Sequence, residues 1–342
     1  MLYKKRPSGN FITDNIIEEK IMQETGENFS YRGNGSDLFG IYIVNILLTV
    51  ITFGIYYFWA QVKVRRYLFQ NTAFMDEPFD YHATGKERFI GFLKGIGIIL
   101  LLYACFFFIN AFVAAAFGPF FVPIISMLVI LTVMAVGIPF LKVGKQRFLL
   151  SRTSWRSLRF SFTGNPTELM KIYIRGILLS IITLGFYSAW LVCQQQKFLT
   201  ENSSYGSEKF SFSGKGEDLL FIFIKMMLLA PLTMGIYYFW FLAEFIRFKI
   251  NHTSIQGKKL NSTFNGGQVL WLTLSGIVIT FLTLGFGLPW VINRVMDSLI
   301  SSISLEEPLD LSVIKSTHDS RGSALSDGIS DASDAIGAIL GG

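Results

Sequence analysis

Charge is what this sequence has least of. Only 16% of its 342 residues are Asp, Glu, Lys or Arg, against 51% hydrophobic and 15% aromatic, too few charges for an ordinary soluble domain of this length. Cysteine and histidine are scarce too. Cys105 and Cys193 lie in or beside apolar segments, which excludes a disulfide framework and a cysteine metal site. The three histidines, at 82, 252 and 318, are scattered and no HExxH occurs, so no metal site is expected. GxxxxGK(S/T) is missing, which excludes a nucleotide-driven pump, and "GNGSDLFG" at 33–40 opens an apolar segment without the rest of a dinucleotide fingerprint. No paired carboxylates or Ser-His spacing appear either. The expectation is a protein that is not an enzyme and holds no cofactor.

Long apolar runs are abundant instead. Segments 38–59, 89–117, 121–141, 169–192, 219–242 and 269–292 all reach the ~20 residues that a helix needs to cross a ~30 Å hydrocarbon core, and the mean hydropathy is +0.46. The basic residues behind the formal charge of +6 sit at the ends of these runs. That placement predicts anchoring to membrane lipids and no nucleic acid. The opening "MLYKKRPSGNFITDNIIEEK" has no apolar core, so no cleaved signal is expected and residues 1–28 read as a soluble arm.

One step recurs: "LLTVITFGIYYFWA" at 47–60, "LLSIITLGFYSAWL" at 178–191, "LLAPLTMGIYYFWF" at 228–241 and "ITFLTLGFGLPWVI" at 279–292. Its Thr and Gly fall at Thr52 and Gly54, Thr183 and Gly185, Thr233 and Gly235, and Thr283 and Gly285. The last three copies stand 50 residues apart. Upstream lie "FSYRGNG", "FDYHATGKE", "FSFTGNP", "FSFSGKG" and "STFNGG", and before four of these a polar centre flanked by Ser, Thr and aromatics suits a β-hairpin. The chain thus reads as about five copies of one unit of about 50 residues, the second enlarged by an extra helix.

Within a spanning helix, Gly and a Thr hydroxyl together permit a bend or a close contact. The aromatics that follow, with Trp59, Trp190, Trp240 and Trp290 among them, read as interfacial anchors. The expected fold is therefore an all-α polytopic bundle of about six kinked transmembrane helices over 29–300, with short extramembrane β-hairpins and an acidic Ser/Gly-rich tail at 301–342. In the alternative geometry Thr-x-Gly is a true break. Each unit then becomes two half-helices entering and leaving from one side, and all hairpins share a compartment where they could form a sheet. For the six-span arrangement, the Lys and Arg of loops 61–88, 142–168 and 242–268 outnumber those opposite, placing these loops in the cytoplasm and both termini outside.

Charges within apolar runs offer the best lead to function. Lys94, Lys171, Arg175 and Lys225 form a candidate polar pathway, with Glu244 set to pair with Arg247 one turn on. Gly91 and Gly95 in "GFLKG" permit close helix packing, and Asn110 suits a hydrogen bond between helices. In the tail, Leu325, Ile329, Ala332 and Ile336 recur at helical spacing among Ser and Asp. That acidic face suits a protein partner docking on the tail or the hairpins.

Three motifs carry a family resemblance: the form FxFxGxGxxL, met in "FSFSGKGEDL"; the step LTLGIYYFW, met as "LTMGIYYFW"; and the basic aromatic "KVRRYLFQNT". Over about 29–300 the sequence resembles the YjgN family of bacterial inner-membrane proteins, a domain of unknown function. It departs from the pattern where "GLPW" replaces "YYFW" in the final unit, and in its acidic tail. The resemblance implies a multi-pass protein of the bacterial inner membrane and supplies no catalytic or binding residue. Two function classes follow: a transporter-like or lipid-handling protein, or a membrane scaffold that docks a partner.

Overall fold

A strand, two helices and a returning strand follow one another five times in the computed structural model, which describes residues 27–312 and 314. The first unit comprises β1 (Glu27–Tyr31), α1 (Gly35–Ile51), α2 (Tyr57–Gln70) and β2 (Thr72–Phe74). The second has β3 (Glu77–Tyr81), α3 (Gly85–Phe117), α4 (Val122–Ser151) and β4 (Thr153–Trp155). The third is β5 (Leu158–Phe162), α5 (Pro166–Ile182), α6 (Ser188–Glu201) and β6 (Ser203–Tyr205). The fourth is β7 (Glu208–Phe212), α7 (Gly216–Leu232), α8 (Tyr238–Asn251) and β8 (Thr253–Ile255). The fifth is β9 (Lys258–Ser262), α9 (Gly266–Leu282), α10 (Leu288–Ile300) and β10 (Ile303–Leu305). The arm at 1–26 and the amphipathic segment proposed near 325–340 lie outside the described residues.

All ten strands close into one antiparallel barrel, with β10 pairing back onto β1. Two-residue turns with left-handed backbone, such as Met75-Asp76 and Gln256-Gly257, join the units, as tight hairpins require. The register sets Phe29 opposite Phe74, Phe79 opposite Trp155, Phe160 opposite Tyr205, Phe210 opposite Ile255 and Leu260 opposite Leu305. These ten side chains meet in one apolar core that fills the barrel, and Leu309, Leu311 and Ile314 pack against it. Inside, the Tyr205 hydroxyl donates to the Trp155 carbonyl at 3.0 Å, and burial pushes its pKa up to about 12.

The expected six-span all-α bundle is overturned. Only two stretches among the described residues, Gly85–Phe117 and Pro119–Ser151, 33 residues each, are long and apolar enough to cross a membrane. The four segments 38–59, 169–192, 219–242 and 269–292 each break at Thr-x-Gly into two antiparallel helices. The threonine hydroxyl donates to the carbonyl four residues back and accepts the N–H four residues on, as Thr52 does with Leu48 at 2.7 Å and Tyr56 at 2.9 Å. The next residue is left-handed (Phe53, Leu184, Met234 and Leu284, φ 50 to 51°), and so is the glycine after it. The glycine N–H reaches back to the carbonyl five residues earlier, Gly54 to Thr49 at 2.8 Å and Gly235 to Ala230 at 2.7 Å. This is a Schellman-type helix stop that runs straight into a reversal. The strands therefore gather on one side, as the broken alternative requires.

Neighbouring hairpins lock through a Trp and a Gly. A side chain on the glycine that opens each following unit would collide with the preceding tryptophan: Gly85 with Trp59, Gly216 with Trp190, Gly266 with Trp240, and Gly35 with Trp290 across the ring closure. At Gly216 an added Cβ would stand 2.3 Å from Trp190 Cδ1. Gly216→Val is expected to destabilise the protein by about 1–3 kcal/mol. Combining it with Trp190→Leu should recover part of the loss; a thermal melt of Gly216→Val alone that matched wild type would refute the lock.

Candidate functional site

The ten helices form a crown on one end of the barrel, each hairpin packing on the next and α10 on α1. Within the crown, equivalent faces of the first and last units carry grooves. One, of about 450 Å³, lies between α1 and α2, walled by Tyr42, Ile46, Val50 and Tyr57 with Gln61 and Arg65 along α2. The other, of about 650 Å³, is walled by Ile277 and Phe281 on α9, Val291 and Val295 on α10, and Leu242 and Ile246 on α8. In both, most of the wall surface is apolar, the first groove adding Asn45 and Thr49 to Gln61 and Arg65.

Cations gather where the crown meets the barrel. Lys142 on α4 donates to Gln195 Oε1 on α6 at 2.7 Å, an oxygen that also accepts from the Tyr173 hydroxyl at 2.6 Å. Lys142 also lies over the Tyr173 ring at 5.4 Å and feels the charge of Lys249 on α8, two units away. Arg65 lies 5.7 Å over the Tyr81 ring. Arg66 donates to the carbonyls of Tyr81 and Ala83, both at 3.2 Å, and Arg147 to that of Gly164 at 3.0 Å, so these two arginines hold the loops that feed the helices. Arg88, in the first turn of α3, is fully buried, and among the described residues its three guanidinium nitrogens find no partner at ordinary hydrogen-bond geometry.

The residues singled out in the sequence fall elsewhere. Lys94, Lys171 and Arg175 are exposed. Lys225 pairs with Glu244 at 3.3 Å, in an open polar cleft of about 700 Å³ that also includes Arg247, His252 and Asn261; Glu244 thus engages Lys225 from the neighbouring helix. Gly91 and Gly95 are buried on α3, and the Ser126 hydroxyl of α4 donates to Asn110 of α3. The threonines and glycines of the step form the hairpin tips. The four tryptophans sit at unit junctions, against glycine. Sequence reading missed Arg88 and Lys142. Superposing the units would have exposed Arg88, because the same position holds Leu38, Leu169, Leu219 and Val269 in the other four.

At the far end of the crown the left-handed tip residues are bare. Phe53, Leu184, Met234 and Leu284 are 98%, 90%, 95% and 88% exposed, and almost no residue of the two apolar stretches of the long hairpin is buried. Such a surface belongs in hydrocarbon. The architecture defines an integral membrane protein with a barrel on one side and an apolar crown on the other. The chain belongs to the family described as bacterial protein of unknown function (DUF898), whose profile matches residues 26–239 and 217–332.

Among curated relatives, the inner membrane protein YjgN of Salmonella typhimurium (strain LT2) is 39% identical over 90 residues, 26% of this chain and 21% of its own length. The protein of the same name from Escherichia coli O157:H7 is 33% identical over 149 residues, and that of strain K12 30% over 147, each covering 43% of this chain and 33% of the relative. The matched stretches thus span a third or less of these relatives. No solved structure matches the chain. It is a protein of the bacterial inner membrane.

Proposed function

We propose that this is a lipid-handling protein without enzymatic activity, which holds the acyl chain of a membrane lipid in the grooves of its crown. The observation that carries this reading is the pair of apolar grooves on equivalent faces of the first and last units. The filled barrel supports it further: an apolar core with Leu309 and Leu311 packed against it offers no aqueous path along the axis.

Topology follows from the hairpins. The 17-residue helices are about 25 Å long, and the 33- and 30-residue helices of the long hairpin about 50 and 45 Å, so the short hairpins enter one leaflet and the long hairpin traverses both. Every Lys and Arg among the described residues lies toward the barrel side of the apolar tips, and the positive-inside rule then sets the barrel in the cytoplasm.

The test is native mass spectrometry of the full chain in mild detergent, comparing wild type with Ile277→Trp and Ile46→Trp, which place an indole in one groove or the other. Wild type is expected to retain lipid at defined stoichiometry and each variant to lose part of it. Bare wild-type protein, or lipid retention unaffected by both substitutions, would refute the proposal.

A further inference from the structure

Arg88 stands where three other units bury a leucine. Leu38, Leu169 and Leu219 are each 0% exposed, and Arg88 is 0% exposed as well. Among the described residues its Nε, Nη1 and Nη2 find no partner at ordinary hydrogen-bond geometry, and neither does the buried Tyr81 hydroxyl, although the two groups lie close enough to interact. Arg65, Tyr57 and Tyr81 lie within electrostatic reach of the guanidinium. No carboxylate among the described residues answers it: Glu87, its neighbour in sequence, is taken by Arg152 at 3.0 Å and by the cap at Thr84. A buried guanidinium beside a second arginine is strongly disfavoured unless an anion completes the site. Arg65 and Tyr57, the two neighbours of the guanidinium on α2, also wall the groove of the first unit.

We propose that Arg88, Arg65 and the Tyr81 hydroxyl form a binding site for the phosphate of an anionic phospholipid, whose acyl chain lies in the α1/α2 groove. The planar forks of two arginines and one hydroxyl suit a phosphate's several oxygens. The site rests on the lipid-handling reading for its occupant, though not for its geometry.

The experiment measures binding to the full chain in detergent by thermal shift, with phosphatidylglycerol, phosphatidylcholine or inorganic phosphate added. Wild type is expected to be stabilised by phosphatidylglycerol well beyond phosphatidylcholine. Arg88→Leu restores the residue of the other units, so it should fold, respond to phosphatidylcholine as before, and bind phosphatidylglycerol at least fivefold more weakly. Arg65→Gln, on the groove wall, should weaken it in the same direction and serves if Arg88→Leu is poorly folded. Equal responses to the two lipids in wild type, or an undiminished phosphatidylglycerol preference in both variants, overturns the site. A response to inorganic phosphate alone, lost in Arg88→Leu, overturns the lipid as occupant and leaves the geometry assigned to free phosphate. Retained lipid with no headgroup preference overturns the anion site while sparing the lipid-handling reading.

Discussion

Trp155→Ala is expected to cost about 3–5 kcal/mol and to be the most damaging single change in the barrel. The side chain is buried in the core shared by all five units. Its ring stands 5.2 Å from Phe74, 6.3 Å from Phe79 and 5.5 Å from Tyr205. Its indole N–H donates to the Glu77 carbonyl at 3.0 Å, while its own carbonyl accepts from Tyr205. Removing the ring opens a cavity and leaves the Glu77 carbonyl without its donor. Trp155→Phe keeps most of the volume and should cost about 1–2 kcal/mol. The check is thermal unfolding followed by fluorescence-detected size exclusion; a Trp155→Ala melting curve superimposable on wild type would mean that the barrel core does not hold the protein together.

The second large effect concerns the hairpin tips. In water, Leu284→Arg at a position 88% exposed would change stability little, since surface substitutions commonly stay within about 0.5 kcal/mol. In hydrocarbon the same change should cost about 2.5–3.5 kcal/mol. The tip backbone makes this a clean comparison: leucine already occupies φ 51°, a conformation that disfavours any L-residue by roughly 1–2 kcal/mol, and arginine inherits the same strain. Met234→Arg and Phe53→Arg should behave alike. The readout is the amount of full-length protein recovered in the membrane fraction. Unaltered recovery for all three would place the tips in water and remove the basis for one-leaflet insertion.

Much of this architecture can be read in the sequence once the break is understood. Thr52, Thr183, Thr233 and Thr283 mark the hairpin apices, but Gly and a Thr hydroxyl suit a kink as well as a stop, and the left-handed position after each threonine holds Phe, Leu, Met and Leu. Helix stops usually place glycine there, whereas here glycine comes one residue later. Bulky apolar residues at an exposed apex suit a lipid surround. The tryptophans carry a contact that the sequence does not show: Trp190 packs against Gly216, and this is invisible along the chain because the two lie in different units. Arg88 was counted among loop charges, since nothing local to "TGKERF" says that the side chain is buried. Its meaning comes from the leucines that replace it in sister units.

Because β10 pairs with β1 and Trp290 rests on Gly35, the assembly has no first or last member. Open stacks of repeats lengthen or shorten one module at a time and need special caps at their ends. A closed circlet has neither freedom. Its circumference is fixed by the count of five, and a missing or additional module would alter every angle around the ring at once. During synthesis, four-fifths of the ring must wait with two unsatisfied edges until the final strand arrives to close it.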